Sequence, residues 1–70
     1  MVDNGGSEIY TEKRDGVWYV IWLRPGYPPR MMMSNLALIE AQRAEDGGEL
    51  SFSVKMRKAA AEARDKNQID

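Results

Sequence analysis

The sequence predicts a small α+β domain built on an N-terminal β-hairpin. Three observations predict it. Asp15-Gly16 is a two-residue hairpin signal. Val17 to Leu23 is an unbroken run of β-branched, aromatic and aliphatic residues. Ser34 to Gly48 reads as a helix with a start and a stop.

Glu8 to Arg14 is strand-like, with Ile9 and Tyr10 supplying β-propensity. Gly16 accepts the positive φ that a type I′ turn demands, so the chain reverses into Val17–Leu23. Pro25-Gly26 ends that strand, and Tyr27-Pro28-Pro29 forces an extended connection without ladder donors at the prolines. Met31-Met32-Met33 fits either a helix lead-in or a short strand beside the hairpin. Ser34 is the expected N-cap of a main helix at about 35–45, closed by Asp46-Gly47-Gly48.

The last segment admits two readings. Leu50, Phe52, Val54 and Met56 alternate with Ser51, Ser53, Lys55 and Arg57, as a strand does. Phe52, Met56, Ala59, Ala60 and Ala63 also fall on one helical stripe. The expectation favours a third strand near 49–55, which would support the hairpin, followed by an Ala-rich helix at about 57–67. Residues 1–7 are expected to be a flexible tail, 8–67 a single domain and 68–70 a frayed end.

Strand Val17–Leu23 is the informative element. Alternate side chains face opposite sides, so Val17, Tyr19, Ile21 and Leu23 share one face and Trp18, Val20 and Trp22 the other. Neither is polar, the pattern of a strand buried on both sides. Either the helices sandwich the sheet, or one face stays open until it meets a partner. If one face stays open, it is expected to be Trp18/Val20/Trp22, because exposed aromatic patches mark interaction sites. Trp, Tyr and Arg also dominate interface hot spots, which nominates Trp18, Trp22, Arg24, Tyr27 and Arg30 as partner-binding residues. The competing reading makes both tryptophans core, since a small domain without staples needs bulky packing.

Composition removes most chemistry. The chain has 70 residues, ten basic and eleven acidic, with no cysteine and no histidine. At this length only about 60% of the unfolded surface can be buried. Without Cys there is no disulfide, thiolate nucleophile or zinc ribbon; without His there is no imidazole base. Gly5-Gly6 and Gly47-Gly48 match no phosphate loop, and Asp46 and Glu49 lack calcium-loop spacing. Neither an enzyme, a cofactor nor a metal site is expected.

Charge is segregated: residues 1–12 sum to −3, 13–30 to +3, 31–54 to −3 and 55–66 to +3, for −1 overall. That balance argues against strong non-specific nucleic-acid binding, though Lys13, Arg14, Lys55, Arg57, Lys58 and Arg64 could form basic patches. Lys13-Arg14-Asp15-Gly16 ahead of an aromatic strand, with a helix following, resembles the arm-binding domains of phage integrases over about half the chain, without a diagnostic motif. That resemblance implies three strands and a helix, with the sheet entering the major groove. Pro25 to Arg30 spells P-x-x-P-x-R, a polyproline-ligand pattern that also suits a rigid connector.

No apolar run approaches the ~20 residues of a membrane span, and Met1 to Ser7 lacks signal-peptide character. Absent cysteine fits a cytoplasmic setting, with no membrane partner. The expected function is therefore a non-catalytic binding protein that occupies a macromolecular, protein surface. By size analogy it fits a phage- or mobile-element-encoded inhibitor or regulator of the anti-CRISPR kind. The alternative is a DNA- or RNA-binding regulator using a basic aromatic sheet face or the basic C-terminal helix. A homodimer is the third reading.

Overall fold

The computed structural model describes residues 7–68. Its elements run β1 (Glu8–Arg14), β2 (Val17–Leu23), β3 (Arg30–Met32), α1 (Ser34–Asp46) and α2 (Leu50–Gln68). The α+β class and the hairpin are as the sequence predicts. Residues 1–6 of the expected tail and 69–70 of the expected frayed end lie outside the described residues; Gln68 is still helical.

The sheet is antiparallel in the order β1-β2-β3. Asp15 (φ 53°) and Gly16 (φ 81°) both take the left-handed conformation, as a type I′ turn requires, and Arg14 pairs directly with Val17. Arg24-Pro25-Gly26-Tyr27 is a tight turn with Tyr27 N–H donating to the Arg24 carbonyl at 3.2 Å. Proline at its second position and a positive φ at Gly26 are the type II pattern.

The third strand is not the one favoured near 49–55 but the short one the sequence offered at Met31-Met32-Met33. Arg30–Met32 supplies it, and the segment near 49–55 is the start of the 19-residue α2. The alternation of Leu50 and Val54 has no structural meaning: both side chains are exposed, while Phe52, Ser53 and Met56 turn inward on the helical stripe. The Ala-rich stretch extends towards its N-terminus at little cost in propensity. Ser53, buried within that stripe, satisfies its hydroxyl by donating to the Leu50 carbonyl at 2.9 Å.

Ser34 is also not the N-cap. Met33 holds that position in extended conformation without a side-chain cap, and its carbonyl accepts from Ala37 N–H. The far end of α1 closes as expected. Gly48 (φ 86°) takes the left-handed turn, with Gly48 N–H bonded to Glu45 and Glu49 N–H to Ala44. These are the two bonds of a Schellman motif.

One core joins Val20 and Met32 of the sheet to Ala37 and Ala41 of α1 and to Met56, Ala59, Ala60 and Ala63 of α2. Ile9, Trp18, Trp22, Leu38 and Phe52 pack around it. Both helices therefore cover the same face of the sheet. No described helix is long and apolar enough to cross a membrane.

Candidate protein-docking surface

The helices lie on the Trp18/Val20/Trp22 face, so the face named as the one to stay open is the covered one, and both tryptophans pack against the core as the competing reading had it. Size complementarity explains the inversion. The inner stripe of α2 is mostly alanine, and small side chains leave room for indole rings beneath them.

Both tryptophans are half-buried. The Trp22 ring packs tilted on Phe52, with centroids 5.0 Å apart. The Trp18 ring lies under the Lys66 ammonium at 4.1 Å, about 13 Å further along the strand.

Four predicted residues do come together. The Arg24 guanidinium sits between the rings of Trp22 (4.3 Å) and Tyr27 (4.1 Å). Arg30, opposite Trp22 in the ladder, pairs with Glu40 of α1 at 2.9 Å. That ion pair commits the arginine of the P-x-x-P-x-R run to the fold. An open cleft of about 710 Å³ adjoins this cluster, with Trp22, Glu40, Arg43, Glu49 and Phe52 in its walls.

The basic candidates are not assembled into one patch. Arg14 pairs with Glu12, and Arg57 with Glu45 at 3.1 Å. At 3.6 residues per turn, Lys55 and Lys58 lie about 100–180° around α2 from Arg57 and Arg64. Lys13 lies at the outer end of β1. Among the described residues, no group of three or more acidic side chains is placed to hold a metal ion.

The helix-free face carries residues the sequence did not single out. Register places Tyr10, Ile21 and Met31 side by side across all three strands, with Val17, Tyr19 and Leu23 along β2. Ile21 is only 4% exposed because Tyr10 and Met31 flank it, yet those two are 41% and 49% exposed. Glu8, Glu12 and Arg14 line the β1 side. The available signal was the absence of polar residues from either face of β2. A second exposed apolar set, Met33, Leu36 and Ile39, lies on α1 and its lead-in.

No protein family, curated protein or solved structure compared with the chain matches it.

Proposed function

We propose that this protein acts without catalysis, by docking a partner protein on the helix-free face of its sheet. The observation that carries this reading is the row Tyr10–Ile21–Met31, an apolar surface spanning three strands without a helix over it. A continuous apolar patch with charges along one side has the anatomy of an interface, whose centre is apolar and whose rim is polar. Tyr10 and Tyr19 add large, rigid contact area, and aromatic residues are enriched at interfaces. Occupying a surface in this way is how a chain lacking cysteine and histidine would act as an inhibitor or regulator.

A nucleic-acid partner is disfavoured on this face. It carries Glu8 and Glu12 against Arg14 alone, and Arg14 is already paired with Glu12. Phosphates need a local excess of positive charge.

The test compares retention on nucleic acid with binding of a purified partner first obtained by affinity capture. No retention at low salt is expected, together with saturable partner binding that Tyr10→Glu abolishes. Salt-sensitive retention that survives Tyr10→Glu would replace this reading with the nucleic-acid one.

A further inference from the structure

We infer that two copies of this chain associate by antiparallel pairing of their β1 strands about Thr11. The proposal concerns the edge of the sheet and stands apart from docking on its face.

Among the described residues, no strand pairs with the outer edge of β1. Arg14 and Val17 flank the two-residue turn, so they exchange both ladder bonds, and bonding then alternates along the pair. The backbone groups of Glu8, Tyr10, Glu12 and Arg14 therefore serve β2, while those of Ile9, Thr11 and Lys13 point outward. The same alternation leaves Trp18, opposite Lys13, unbonded to β1, and the Asn67 side chain takes up both its N–H and its C=O. The other edge, β3, is three residues long, preceded by Pro28-Pro29 and followed directly by α1. It cannot extend the sheet.

The strand's charge order is self-complementary. Glu-Ile-Tyr-Thr-Glu-Lys-Arg carries its first acid at one end and its bases at the other. With Thr11 on the two-fold axis, Ile9 lies opposite the partner's Lys13, and Glu8 opposite the partner's Arg14, whose guanidinium already holds Glu12 of its own strand and would bridge the two carboxylates. Symmetry repeats both pairs. Every outward N–H of Ile9, Thr11 and Lys13 then faces a carbonyl. Moving the axis to Tyr10 sets Glu8 against the partner's Glu12. Moving it to Glu12 sets two like carboxylates against each other. Charged edges ordinarily prevent pairing, but a guard of one sign repels a second copy, whereas this strand presents both signs in matching order. The resulting dimer keeps both helix layers on one side and joins the two helix-free faces into a six-stranded surface.

A single strand pair is a small interface, so association in the micromolar range or weaker is expected. Sedimentation equilibrium of the full chain from roughly 10 μM to 1 mM at low salt reads it. A concentration-dependent dimer is expected. Glu8→Arg should raise its dissociation constant roughly tenfold, and adding Arg14→Glu should restore it to within about threefold. Both side chains are exposed, so circular dichroism should be unchanged. Amide exchange should slow with concentration at Ile9, Thr11 and Lys13, and not at Tyr10 or Glu12. A monomer throughout the range overturns the proposal. So does a dimer indifferent to Glu8→Arg, or one that the charge swap fails to restore.

Discussion

The side-chain amide of Asn67 completes the strand ladder at Trp18. Its Oδ1 accepts from Trp18 N–H at 2.8 Å, and its Nδ2 donates to the Trp18 carbonyl at 3.0 Å. β3 stops at Met32 and the chain enters α1, so on its β3 side β2 has no described strand neighbour at this position. The last turn of α2 supplies the missing donor and acceptor instead. Fifty residues of sequence are thereby closed by two hydrogen bonds, roughly the span from Trp18 to Asn67.

Asn67→Ala should remove both bonds and cost about 1–2 kcal/mol in chemical denaturation. Asn67→Asp should not rescue it, because a carboxylate oxygen would face the Trp18 carbonyl in place of the amide donor. Stability equal to wild type in both variants would mean that water replaces the amide without loss.

Lys66 works beside it. Its ammonium stacks on Trp18, pairs with Glu62 at 3.0 Å and reaches Thr11 Oγ1 at 3.3 Å. Lys66→Met keeps the apolar stem and removes the charge, and should cost about 1 kcal/mol by thermal unfolding. A change in the Trp18 fluorescence environment should accompany it.

The alanine seam sets how closely α1, α2 and the sheet approach. Ala37, Ala41, Ala60 and Ala63 are fully buried. Ala60→Leu should cost about 2–3 kcal/mol, because added methylenes must be forced into a position that is fully buried. A denaturation midpoint at the wild-type value would show that the seam has slack.

The α1–α2 connection depends on Gly48. Its φ of 86° favours glycine, and no atom crowds a Cβ there. Gly48→Ala should therefore destabilise by about 1 kcal/mol through backbone conformation alone. Gly47→Ala, at φ −85°, should cost less. The difference between the two melting temperatures checks this directly.

The hairpin, the strand at Val17–Leu23 and the end of α1 were legible because local chemistry determines each of them. Gly16, the apolar run and Gly48 act within a few residues. The third strand was legible only as one of two readings of Met31-Met32-Met33, and the strand favoured near 49–55 failed because Leu50 and Val54 alternate on a segment whose burial follows the helical stripe. Periodicity over eight residues cannot report which side chains face a core. The candidate site was legible in kind only. The apolar pattern of β2 announced two faces in need of cover, but which face the helices choose depends on how the alanine-rich core accommodates the tryptophans packed around it. That is a tertiary property. Trp22, Arg24 and Tyr27 were nominated together because Trp, Tyr and Arg are the residues enriched in interface hot spots, and the structure adds the stacking that joins them.

The most direct test of the docking face is parallel affinity capture from the source cell with wild type, Met31→Glu and Ile39→Glu. Both substituted side chains are about half exposed, at 49% and 48%, so both variants should fold, with Met31→Glu melting a little lower because Met31 flanks the buried Ile21. A partner should be recovered by wild type and Ile39→Glu and lost with Met31→Glu. Recovery of that partner by Met31→Glu, with loss in Ile39→Glu, would contradict docking on the sheet face and move the interface to α1.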